Sequence, residues 1–155
     1  MYRNISFLIV LILSITLFTA CDDTHDHDHM DVVGLEIRLD GQTLVSQARN
    51  PQSGQIEVTG TIDVESGETT QMLTVVFIDP DGDALQITDN DFSLGLNPTN
   101  TATMTIHHNA SQARWGFTVE GKQTGTEAIQ ISLFHGTHAD FESRPITVQV
   151  HSSGD

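Results

Sequence analysis

Residues 33–41 read Val33-Gly34-Leu35-Glu36-Ile37-Arg38-Leu39-Asp40-Gly41. Val33, Leu35, Ile37 and Leu39 alternate with polar or small residues, the period-two pattern of a strand with one buried face. Asp40-Gly41 is a hairpin signal, because both residues tolerate the positive φ of a tight turn. Residues 43–46 are the expected return strand. The same grammar continues downstream. Ile56, Val58, Ile62 and Val64 alternate through what reads as one strand with Gly60 as a bulge. Residues 72–78 are apolar on both faces, as in a central strand covered on both sides. Leu85, Ile87, Phe92, Leu94 and Leu96 belong to one or two further strands. Residues 102–108, 115–119, 128–135 and 145–151 complete the set, with Asn109, Gly121, Gly125 and Gly136 supplying turn chemistry between them. No window of 11 residues carries a helical stripe. Eight or nine short antiparallel strands at this spacing predict an all-β sandwich over residues 32–151, with residues 152–155 a disordered tail and Trp115 in the core.

Upstream of that domain the chain changes character twice. Asp22-Asp23-Thr24-His25-Asp26-His27-Asp28-His29-Met30-Asp31 has dense charge and no apolar periodicity, so residues 21–31 are expected to form a disordered tether. Before it, Met1-Tyr2-Arg3-Asn4 is a short n-region with one positive side chain, and residues 5–18 are almost continuously apolar. The 16 residues from position 5 to position 20 are slightly short for a bilayer span and suit the h-region of a signal peptide covering residues 1–20. Leu17-Phe18-Thr19-Ala20-Cys21 resembles the lipobox of bacterial lipoproteins, departing from it at Phe18, where that family has Leu, Val or Ile. The resemblance implies that Cys21 becomes the mature N-terminus and carries the lipid anchor. An ordinary secretory signal and a transmembrane anchor are the alternatives, and export is common to them.

All 21 acidic residues lie at or after Asp22, whereas Arg3 lies in the removable segment, leaving 5 of the 6 basic residues. The mature net charge is then −16 with histidine neutral. Such a surface repels phosphate backbones and anionic headgroups, which excludes nucleic acid as a partner and favours cations. Cys21 is the single cysteine, so the domain has no disulfide and depends on its apolar core. A lipidated Cys21 places the protein at the bacterial cell envelope. The acidic residues after it resemble the inner-membrane retention signal of some lineages and the surface-export signal of others.

The strand pattern resembles an immunoglobulin-like bacterial surface domain over about residues 32–150. The resemblance is carried by Phe77-Ile78-Asp79-Pro80-Asp81-Gly82-Asp83-Ala84-Leu85 and the closing Gly-rich hairpins.

Three constellations carry chemistry. In the tether, His25, His27 and His29 are two apart and share one side of an extended chain, where neutral imidazoles and intervening carboxylates suit zinc, copper(II) or nickel rather than calcium. The competing reading is a solvated acidic spacer. The second constellation is His107-His108 with His135-Gly136-Thr137-His138 and Asp140. Alternating strand directions place these four histidines at one end of the sandwich, with His135 sharing the parity of Ile129, Ile131 and Leu133, and four ligands there complete a tetrahedral site. The competing reading for each is a satisfied polar residue at a strand end. The third is Asp79, Asp81 and Asp83, which resemble the Asp-rich calcium loops of cadherin-like bacterial repeats but lack the EF-hand spacing. The competing reading there is an acidic β-turn shaped by Pro80 and Gly82.

No nucleophile elbow, phosphate-cradling loop or zinc helix motif is present, so no enzymatic activity is expected. The sequence therefore favours an envelope lipoprotein that binds or buffers a divalent transition metal, zinc or copper. Proton competition at imidazole implies weaker binding below about pH 6. The alternative is an adhesion or interaction module for an envelope protein or glycan, with a passive spacer and a calcium-stabilised domain.

Overall fold

Asp40 (φ 49°) and Gly41 (φ 81°) both adopt left-handed backbone and join β1 (Gly34–Leu39) to β2 (Gln42–Arg49), the geometry expected of a two-residue hairpin. The computed structural model describes residues 30–154. Cys21, His25, His27 and His29, with the expected signal peptide and most of the acidic tether, lie outside the described residues.

After β2 the chain forms β3 (Ile56–Thr59) on the same sheet, then passes at Gly60 to β4 (Ile62–Glu65) on the other. Gly60 has φ 89°, and a Cβ there would lie 1.9 Å from the Leu44 carbonyl oxygen. Only glycine permits this passage. The stretch that reads as one bulged strand is thus two strands on different sheets, with Ile62 and Val64 buried and Ile56 exposed.

The remaining strands are β5 (Leu73–Ile78), β6 (Phe92–Asn97), β7 (Met104–His107), β8 (Gly116–Gly121), β9 (Gly125–His135), β10 (His138–Glu142) and β11 (Ile146–His151). They build a two-sheet, all-β sandwich; among the described residues there is no helix. One sheet has the order β3-β2-β1-β5-β8-β7, and the other runs β10-β9-β11-β4 with β6 also paired to β9. The 11 strands exceed the expected eight or nine because Gly60 divides one strand and because β10 forms where the sequence reads as loop. The expectation of purely antiparallel pairing also needs correction. β11 runs parallel to β4, with Val148 opposite Ile62 and His151 opposite Glu65. That pairing joins strands far apart in sequence, which no hairpin signal announces.

β9 organises the second sheet. β11 pairs with residues Gly125 to Ile129 of it, and β10 with Ser132 to His135. Buried Ser143, between β10 and β11, keeps the ladder closed: its N–H donates to the Ile131 carbonyl (2.8 Å), and its Oγ accepts the Ile131 N–H (2.9 Å). β6 runs antiparallel to the second half of β9, setting Phe92 opposite His135.

Alternate residues from both sheets meet in one core, including Leu35, Ile37, Phe77, Phe117, Ile131 and Val148. Each fully buried side chain of this size contributes about 1.5–3 kcal/mol relative to exposure. Two core expectations are revised. In β5, Leu73, Val75 and Phe77 point inward while Thr74 is exposed, so the strand is covered on one face rather than two. Trp115 is half-buried at the core margin, edge-on to Phe77 (5.8 Å between centroids), with the Arg114 guanidinium 4.8 Å over its ring. An indole stacked by a cation satisfies its apolar face without full burial.

Candidate metal centre

The turn between β9 and β10 is two residues long, and His135 and His138 flank it as a cross-strand pair. Gly136 (φ 58°) takes the first central position, the one that demands glycine in a type II′ hairpin. Directly paired residues hold their Cβ atoms about 4.5–5.5 Å apart. The turn alone therefore brings two imidazoles together, with ring centroids 5.6 Å apart.

Asp140 joins them through an irregularity. Ala139 pairs with Phe134 and Phe141 with Leu133, which leaves Asp140 as the extra residue of a β-bulge. A bulge bends the strand and re-aims the side chain it carries. The Asp140 side chain is 1% exposed. Its Oδ1 lies 3.1 Å from His138 Nε2 and its Oδ2 3.9 Å from His135 Nδ1. The first separation is within ion-pair range, and the second is too long for a hydrogen bond. Asp140 Oδ2 also accepts the N–H of Met30 at 3.3 Å, at the start of the described chain.

His135 continues the inward parity of Ile129, Ile131 and Leu133 to the rim of the core. Its ring stacks on buried Phe92, with 4.4 Å between centroids and 12° between planes. Its side chain is 21% exposed. Among the described residues, Nδ1 of His135 is the one buried side-chain nitrogen or oxygen without a hydrogen-bond partner. Leaving such an atom unpaired costs about 1–3 kcal/mol.

One ligand atom from each of His135, His138 and Asp140 lies within 4.8 Å of the other two. Ligands around a tetrahedral zinc, with bonds of about 2.1 Å, sit about 3.4 Å apart. The observed separations bracket that value, and side-chain rotation of about an ångström closes the widest one. Two imidazoles and a carboxylate form a borderline donor set with one negative charge, suited to zinc or copper(II) and short of the six to eight oxygens calcium takes.

The other candidate residues stand elsewhere. Exposed His107 places Nε2 2.9 Å from Glu120 Oε2, and His108 Nδ1 donates to the Gly116 carbonyl at 2.7 Å. Both partners lie on β8 and neither histidine belongs to the His135 group. The expectation of four histidines at one rim is corrected by strand length. Gly125 abuts Thr103, so β7 and β9 leave the same level. His107 comes four residues after Thr103, and His135 ten after Gly125. The six-residue difference is about 20 Å of strand. His151, the remaining histidine of the domain, places Nε2 2.7 Å from Asp63 Oδ1.

Asp79, Asp81 and Asp83 do not converge as a group of ligands among the described residues. Asp79 Oδ1 instead accepts the N–H groups of Asp81 (3.0 Å) and Asp83 (2.9 Å), and Gly82 turns the chain at φ 90°. That is an Asx turn held by its own first residue.

Three contributors to the centre carry no motif. The bulge at Asp140, the Phe92 platform and the return of Met30 all arise from tertiary pairing. The alternation of β6 and β9 is the signal that can align Phe92 with His135. No protein-family model matches the chain, and no curated protein matches it in sequence.

Proposed function

We propose that this protein binds a divalent transition metal at the bacterial cell envelope, through His135, His138 and Asp140. The observation that carries the reading is the convergence of these three groups around a buried imidazole nitrogen that lacks a partner. A cation between His135 Nδ1 and Asp140 would satisfy the nitrogen lone pair and neutralise the buried carboxylate together. Zinc is the first choice and copper(II) the second, from the His₂-carboxylate donor set. The role is binding or buffering, without catalysis.

The envelope location rests on the sequence: the apolar leader, the lipobox-like Leu17-Phe18-Thr19-Ala20-Cys21, and the acidic mature charge. In this reading Cys21 is lipidated and the sandwich sits outside the cytoplasm, where an acidic surface concentrates divalent cations.

Titration calorimetry on the full chain in detergent at pH 7.5 tests the metal reading. The expected result is saturable zinc binding that His135→Ala or His138→Ala removes. Absence of binding for zinc, copper and nickel would overturn it.

A further inference from the structure

β3 is the outermost strand of its sheet, with β2 on one side of it. The Asn50 N–H donates to the Gln55 carbonyl at 2.7 Å, which fixes the phase of the antiparallel ladder. Counting on from that pair, Glu57 and Thr59 bond to β2, whereas Ile56 and Val58 turn their N–H and C=O groups outward. The opposite edge of the sheet is closed. Beside β7, the Thr101 N–H donates to the Met104 carbonyl and the Ile106 N–H to the Thr99 carbonyl. β10, an edge of the second sheet, is interrupted by its bulge. β3 has no bulge, proline or lysine, the devices that keep an edge from pairing.

A cleft of about 520 Å³ lies along this edge, within the size range of ligand sites. Ile56 stands opposite Arg49 and Val58 opposite Gln47, so all four share the sheet face of the buried Gln47 side chain. Ile56 is still 37% exposed. Arg49 and Arg144 line the cleft with Ile56 and Val58. Nη1 of Arg49 donates to the Gly54 carbonyl at 2.8 Å. The Arg144 N–H donates to Oε1 of Gln47 at 2.6 Å, which fixes the backbone that carries the second guanidinium. Among the described residues neither guanidinium pairs with a carboxylate, in a chain of 21 acidic residues to 6 basic ones. Glu57, the acid of β3, lies on the other face and accepts from Asn50 Nδ2 at 2.8 Å. Two cations without a counter-charge thus flank an apolar strand edge without a neighbour. Repulsion from distant acids is screened beyond about 8 Å at physiological salt, so contacts inside the cleft decide what binds.

We propose that β3 accepts an extended, carboxylate-bearing segment of another polypeptide as an added strand. The segment bonds through its backbone to Ile56 and Val58, and a glutamate or aspartate on its inner face pairs with Arg49 or Arg144. Main-chain pairing supplies the affinity, and the two guanidinium groups select the charge. The surface is separate from the metal centre and works without it.

The test uses the full chain in detergent with chelator present, so that metal plays no part. The probe is a fluorescein-labelled octapeptide of alternating valine and glutamate with blocked ends, read by anisotropy. Its lysine-for-glutamate counterpart is the control, and glutarate is the competitor. The glutamate peptide is expected to bind saturably and to slow hydrogen exchange across residues 55–59, and the lysine peptide to do neither. Arg144→Glu reverses an exposed charge and leaves the N–H bond to Gln47 in place. It is expected to weaken binding at least about tenfold, the loss of one charge-assisted hydrogen bond. Val58→Pro removes an outward N–H that β2 does not use, a change that edge strands tolerate, and is expected to weaken binding as much. Absence of saturable binding, or equal binding of the lysine peptide, overturns the proposal. Undiminished binding to Arg144→Glu does so as well, and that variant decides if Val58→Pro does not fold. Binding that survives Val58→Pro and yields to glutarate marks a site for small carboxylates, and strand addition then falls.

Discussion

His135→Phe separates a metal ligand from a structural histidine by changing the sign of its effect with metal. In the metal-free protein His135 Nδ1 is buried without a partner, at a cost of about 1–3 kcal/mol. Phenylalanine removes that nitrogen and keeps the stack on Phe92, which is 4.4 Å from the present ring. The larger ring costs part of the gain through tighter packing, typically about 1 kcal/mol at a half-open rim. The net is a stabilisation of up to about 2 kcal/mol, or up to roughly 8 °C in melting temperature for a domain of this size. With zinc a hundredfold above its dissociation constant, the natural protein gains about 2.7 kcal/mol and the variant gains nothing. Calorimetric melts of both proteins, in chelator and in zinc, read all four values. The variant is expected to melt higher in chelator and to lose that lead in zinc. A variant that melts lower in chelator by several degrees would refute the reasoning, since Nδ1 would then have been making a favourable contact.

Other parts of the account predict simpler outcomes. His107→Ala and His108→Ala should leave zinc affinity within twofold of the natural value by chelator competition, because their partners are Glu120 and the Gly116 carbonyl. Gly60→Ala should destabilise the fold by more than about 2 kcal/mol in urea unfolding, because its Cβ meets the Leu44 carbonyl oxygen while the backbone holds a positive φ. Ser143→Ala should cost about 1–3 kcal/mol by the same assay, since it strips the Ile131 N–H of its acceptor inside the core.

The local grammar of the chain was legible because it is set by neighbours in sequence. The alternation of Leu35 and Ile37, the positive φ at Asp40-Gly41, and the turn at Gly136 all follow from residues within a few positions of each other. The two-sheet, all-β architecture followed from their repetition. What escaped depended on distant partners. Gly60 looks like a bulge until Leu44 is known to lie against it. The β10 strand carries too few apolar residues to announce itself, and it exists because β9 offers an unpaired edge. The parallel pairing of β11 with β4 likewise joins segments more than 80 residues apart.

The centre shows the same division. His135 and His138 were grouped by strand direction, and the inward parity of His135 was readable from Ile129, Ile131 and Leu133, but the two-residue turn that pairs them leads into a β10 that reads as loop. His107 and His108 were grouped with them because strand direction is inferable from sequence while strand height is not. β7 is four residues long and β9 eleven, and of the histidines at their ends only His135 joins the group with His138 and Asp140. Asp140 was visible as a neighbour, but only the bulge aims it at the imidazoles.

The most direct test of the metal reading is a crystal of the protein grown with zinc and measured at the zinc absorption edge. An anomalous peak is expected within about 2.1 Å of His135 Nδ1, with His138 and the Asp140 carboxylate at similar distances. Peaks confined to His107 or His151, with none at the β9–β10 hairpin, would contradict it.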